Sequence, residues 1–159
     1  MSDDVQEERA LTWPNGQLVD AESIEGYANE ARVLAMSILE DGEVRTPDWV
    51  IEQLAEVSAH AARMVLVILN AETLKRRVAT KLEKARAQAR VDSADVSGAL
   101  QTARIVLATA ELKDEYDVAV AAFEYARRIG NLLKDYTGRV QSIGKQVELT
   151  YSLGPGRAR

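Results

Sequence analysis

From Thr46 to about Thr150 apolar residues return every three or four positions, and the pattern is interrupted once, at Asp92-Ser93-Ala94-Asp95. That period belongs to amphipathic helices, so two very long helices are expected, about 47–91 and 94–150. At a rise of roughly 1.5 Å per residue, a helix of about 45 residues reaches on the order of 65 Å, more than the width of a compact domain of this size. The expected fold class is all-α: a short N-terminal helix, about 21–40, docked on a long antiparallel, coiled-coil-like helical hairpin. So thin a hairpin is expected to assemble into a helical oligomer or to wrap a partner.

The start signals are local. Asp20 can accept from the free N–H groups of a first turn, and Ile24, Tyr27, Ala31, Leu34 and Ile38 then fall on one stripe. Asp41-Gly42 supplies a stop. Thr46-Pro47-Asp48 opens the next helix, with Thr46 as cap and Pro47 at the first helical position, where a missing N–H costs nothing. Ahead of these, residues 1–19 form a flexible or extended lead-in. Its Pro14-Asn15-Gly16 suits a turn needing positive φ, and Trp13 is available to pack on the helices.

The second helix carries a near-heptad seam, Val50, Leu54, Val57, Ala61, Met64, Ile68 and Ala71, then Val78, Leu82, Ala85 and Ala89. The run Met64, Val65, Leu66, Val67, Ile68 and Leu69 covers every side of the helix, so more than one neighbour is expected to shield it. The last helix continues through Leu100, Ala103, Leu107 and Ala110, shifts register near Leu112, and proceeds by Tyr116, Ala119, Phe123, Ala126, Leu133 and Val140. Phe123 and Leu133 are expected in the core or at an oligomer contact. Gly130, Gly138 and Gly144 each lower helix propensity by about 1 kcal/mol relative to Ala, which points to close helix contact or a bend. Residues 20–151 thus make one helical domain, and 152–159 a flexible basic tail.

Composition narrows the class. The chain has 159 residues, 47% hydrophobic but only 5% aromatic, so its core must rest on Ala, Val, Leu and Ile. Without cysteine there are no disulfides, thiolate nucleophiles or sulfur-ligated metals. The most apolar run is far shorter than the roughly 20 residues a bilayer demands, and no signal-peptide pattern opens the chain, so a cytoplasmic location is expected.

The net charge of −5 hides segregation. Residues 1–60 carry 14 acidic and three basic side chains, whereas 61–90 carry two acidic and eight basic ones. Residues 91–122 return to acidic and 123–159 to basic. The basic run Lys75, Arg76, Arg77, Lys81, Lys84, Arg86 and Arg90 has spacings that set many of these cations along one side of the second helix, where they can follow a phosphate backbone. The competing reading is charge matching within the hairpin, with 75–77 opposite roughly 111–117 and 127–145 opposite 41–56. Such exposed pairs are worth only about 0–1 kcal/mol each and would set register more than stability.

Catalysis has little to stand on. His60 is the only histidine and sits inside a helical pattern, and no Gly-rich phosphate loop is present. The i,i+4 pairs Glu52/Glu56 and Glu111/Glu115 lack the Glu-x-x-His partner of di-metal bundles and suit a solvated face. No enzyme activity, cofactor or metal is expected. Tyr116, Phe123, Tyr125 and Tyr136 have the rings for base stacking, but Tyr116 and Phe123 follow the apolar seam and belong to the core.

Three pieces occur in order: a short helix opening Val19-Asp20-Ala21-Glu22-Ser23-Ile24 with Tyr27-Ala28-Asn29, a long helix ending in Lys84-Ala85-Arg86, and a polar break before the last helix. Over roughly residues 18–150 this arrangement resembles the UvsY-type recombination mediators of tailed bacteriophages. The resemblance implies a non-enzymatic protein that binds single-stranded DNA, helps load a phage recombinase in competition with a single-strand-binding protein, and forms a ring-like homo-oligomer in the host cytoplasm. It assigns Lys84 and Arg86 to the DNA-contacting Lys-Ala-Arg position; the other five cations extend that surface. A protein-interaction or structural module, such as a virion component or an inhibitor of host defence, is the alternative and needs no DNA.

Overall fold

The structure, a computed structural model, describes residues 10–37 and 45–153. These are all-helical, with four helices: α1 (Ala21–Ser37), α2 (Pro47–Asp92), α3 (Gly98–Ala108) and α4 (Ala110–Ser152). The expected stop at Asp41-Gly42, the stripe residue Ile38, and most of the terminal segments lie outside the described residues.

The chain is tied down before α1 by a short turn. Gly16 adopts φ +83°, which its missing Cβ permits, and the turn brings Thr12 and Leu18 into an isolated antiparallel bridge. The buried Trp13 then donates its indole N–H to the Ser23 hydroxyl at 3.0 Å. Ser23 also completes a reciprocal cap: its N–H donates to Asp20 Oδ1 at 2.8 Å, while its Oγ accepts from the Asp20 N–H at 3.1 Å. Those bonds from Ser23, backbone first and side chain second, hold the Asp20 carboxyl below the ordinary aspartate range. From this cap α1 buries Ile24, Ala28, Ala31, Leu34 and Ala35, with Tyr27 half-buried.

The start of α2 follows the same logic. Thr46 Oγ1 accepts from the Trp49 N–H at 3.2 Å, and Pro47 occupies the first helical position. α2 is the one helix among the described residues whose length and composition meet the requirement for a membrane crossing, over an 18-residue window of mean hydropathy 1.3. Within the described chain 28% of that window is buried, and α2 buries Val50, Val57, Met64, Val67, Ala71, Val78 and Leu82 on one face.

The region after α2 differs from the expected single helix over 94–150. Residues 93–97 form turns, with Ala94 N–H donating to the Val91 carbonyl and Val96 N–H to the Ser93 carbonyl. Ser97, not the 92–95 cluster, stands at the N-cap of α3. A second break comes at Thr109, which leaves the helical range at φ −115°, ψ 7°. The buried Thr109 hydroxyl donates back to the Ile105 carbonyl at 2.8 Å, a bond that Thr73, Thr80 and Thr137 make within unbroken helix, so it does not by itself explain the break. The register shift anticipated near Leu112 is here a one-residue interruption three positions earlier.

The described residues divide into two compact units. A long helix touches only what runs alongside it, so α1, α2 and α4 each contribute to both. The first unit comprises residues 10–25 and 69–124. Its core is built on Trp13, Val19 and Ile24, on Val78 and Leu82 of α2, and on Ala119, Ala122 and Phe123 of α4. The second comprises residues 26–37, 45–68 and 125–153. There Gly130 and Gly144 mark the close approach of α4 to α2: a Cβ at Gly130 would lie 2.9 Å from Ile68 Cδ1, and one at Gly144 3.0 Å from Val50 Cγ1. In that unit Tyr125 donates its hydroxyl to Asn29 Oδ1, and Arg63 pairs with Glu30 at 3.1 Å.

Candidate nucleic-acid interface

The seven α2 cations all lie in the first unit, but the helix does not gather them on one side. At about 100° per residue, the buried row Ala71, Val78, Leu82 and Ala89 defines the inward face. Lys75, Arg86, Arg90 and Arg76 then lie progressively further round one flank, and Lys81, Arg77 and Lys84 round the other. The expected single stripe is therefore two rows, because spacings of three, four and five drift to both sides of the core row.

Several of these cations are already engaged. The Lys75 ammonium sits 3.8 Å from the centroid of the Phe123 ring, a cation–π contact that holds it against the core. Arg76 pairs with Glu72 at 2.7 Å, and Arg86 with Glu83 at 2.9 Å, both within α2. Arg77 and Lys81 have interactions of their own. Lys84 and Arg90 are exposed, and neither has a carboxylate within 4 Å among the described residues.

The α4 cations of the second unit present a simpler picture. Arg127, Arg128, Lys134, Arg139 and Lys145 are all exposed and lack a carboxylate partner among the described residues. The competing reading set them against 41–56; of that stretch residues 41–44 lie outside the described residues, and Asp48, Glu52 and Glu56 make no ion pair with them. The lysine at the start of α4, Lys113, is by contrast paired with Asp117 and lies 5.9 Å from the Tyr116 ring centroid.

The apolar positions divide as sharply. Met64 and Val67 are buried, as are Phe123 and Leu133, and Ile68 is half-buried. Val65 remains 68% exposed and Leu69 57%, and Leu66 is also open, so the described chain shields only one side of the Met64–Leu69 run. α3 has no buried residue at all: Leu100, Val106 and Leu107 are exposed, although they lie within a helix.

His60 Nδ1 is buried without a hydrogen-bond partner inside α2, and among the described residues no three His, Asp or Glu side chains converge. Tyr136 is buried with its hydroxyl unpartnered; burial, aided by nearby Glu56, pushes its phenol up to about 12. Its burial places the ring in the core rather than where it could stack on a base.

Comparison of the chain with protein-family models, with characterised proteins and with solved structures gives no match.

Proposed function

We propose that this chain is a non-enzymatic accessory protein of phage recombination, which binds single-stranded DNA through α2 and assists loading of a recombinase. It works as a homo-oligomer built on its antiparallel hairpin, in the host cytoplasm. The observation that carries the reading is that Lys84, in the Lys-Ala-Arg triplet, and Arg90, on the other flank of α2, are exposed and have no carboxylate partner among the described residues. Arg86 joins them at small cost, since its exposed pair with Glu83 is worth no more than about 1 kcal/mol and yields readily to a phosphate. Two or three such contacts per subunit are weak, and repetition around an oligomer multiplies them through effective concentration.

Fluorescence anisotropy with labelled oligo-dT tests this. Displaced counterions make log affinity fall with log salt at a slope of roughly −0.7 per neutralised phosphate. Lys84→Glu with Arg90→Glu is expected to weaken binding and flatten that slope by about 1.4 per subunit, with helicity and sedimentation unchanged. Absence of binding by the parent chain at low salt would refute the reading.

A second reading, a protein-interaction module without DNA, is favoured by one specific observation. Lys75, Arg76 and Arg86 make intramolecular contacts, which is what a basic run that merely sets helix register would do. On that reading the same double variant leaves no DNA signal to lose.

A further inference from the structure

An open groove of about 650 Å³ runs along the second unit, walled by α2 on one side and α4 on the other. Its α2 wall is aliphatic: Met64, the exposed Val65 and Ile68. Its α4 wall carries Arg127 and Lys134, one i,i+7 step apart and so on the same face. Neither cation has a carboxylate partner among the described residues, and no aspartate or glutamate lines the groove. Gly138 also lines the groove, and a Cβ there would meet nothing within 4 Å.

We propose that this groove is a docking site for an acidic amphipathic helix of a protein partner. An aliphatic strip flanked by unpaired cations complements a helix with leucine-type anchors on one face and carboxylates on its rim. Nucleic acid fits it less well. No aromatic side chain lines the groove, so bases would find no stacking platform, which sequence-independent single-strand binding relies on. Burying Val65 removes apolar surface that the described chain leaves in water, and the two cations gain partners without giving up any they have among the described residues. The site is independent of the α2 cations Lys84 and Arg90, so it stands or falls apart from DNA binding.

The test uses the full chain and a labelled designed peptide of about 15 residues, with leucines at helical spacing and glutamates flanking them. Gly138→Leu sets a side chain at the groove from a position where an added Cβ meets nothing within 4 Å, and Arg127→Glu with Lys134→Glu reverses its charge. Each is expected to weaken peptide binding in anisotropy roughly tenfold or more, while circular dichroism and sedimentation stay as in the parent. The same peptide with glutamines for glutamates is expected to bind the parent roughly tenfold less well. Should Gly138→Leu fail to fold, the charge-reversed variant still decides the matter. The proposal is overturned if the parent ignores the peptide or if both variants bind it like the parent. Displacement of the peptide by oligo-dT would reassign the groove to nucleic acid, and a lower sedimentation coefficient in the variants would reassign it to a second copy of the chain.

Discussion

α1 and α3 are both short, mostly uncharged helices beside the long ones, yet the chain uses them differently. α1 is pinned by a reciprocal cap and by Trp13, and it buries five apolar side chains. α3 holds three large apolar side chains in solvent and buries none. Its links to the rest of the first unit are polar and long: Gln101 to the Arg90 carbonyl at 3.5 Å, and Arg104 to Asp95 at 3.4 Å. Apolar content therefore decides neither docking nor stability by itself. What separates the two is whether the surrounding chain offers a surface that matches the apolar row.

The contrast breaks most visibly at Ile24, which is fully buried at the start of α1. Ile24→Ala is expected to cost about 2–5 kcal/mol, through lost apolar transfer and the cavity left behind. Chemical denaturation of the two proteins measures it. A cost below about 1 kcal/mol would mean that α1 packs no more firmly than α3.

Much of this was legible in the residues themselves. Asp20, Thr46-Pro47 and Asn15-Gly16 act within three or four positions of where they stand, so their chemistry predicts the local geometry directly. The Thr109 break was harder, because threonines at helical spacing also stand inside unbroken helix, as Thr73, Thr80 and Thr137 do, and give no notice of a stop. The fate of the cations was not legible at all. Lys75 finds Phe123 across 48 positions of sequence, whereas Arg127 and Lys134 find no carboxylate among the described residues; a charge pattern fixes neither outcome. Nor does a heptad-like row at Leu100, Ala103 and Leu107 reveal that nothing within the described chain covers it.

A smaller effect sharpens the comparison at the caps. Asp20→Ala is expected to cost about 1 kcal/mol, because the Ser23 N–H loses its acceptor. The folded pKa of Asp20 lies below its unfolded value of roughly 3.9, so this contribution is present above that pH and is lost as pH falls through the folded pKa. Asp20→Asn caps comparably but does not titrate in this range, and is expected to flatten the acid limb of a stability–pH curve. An unchanged acid limb would show that the cap bond is not formed in solution.

In α3, Leu107→Ala is expected to change stability by less than about 0.5 kcal/mol, since a side chain already in water loses no burial on truncation. A cost near that of Ile24→Ala would reveal a partner for the α3 row, and dilution would tell a second copy from a neighbour within the chain. A self-associated row loses the effect at low concentration, and an intramolecular one keeps it.

The least effect belongs to Ser97. Its backbone has the extended geometry of an N-cap, φ −80° and ψ 147°, and serine is among the residues best suited to that position. Its hydroxyl nonetheless makes no cap hydrogen bond. Ser97→Ala therefore removes nothing that α3 uses, and its cost is expected below about 0.5 kcal/mol, against about 1 kcal/mol for Asp20→Ala. Hydrogen exchange of the first-turn amides separates the two helices further. Protection is expected to fall in α1 when its cap is removed and to stay low and unchanged in α3, where local opening breaks no buried contact. Equal losses from both substitutions would mean that the α3 hydroxyl does close onto its helix, and that α3 is held at its start as firmly as α1.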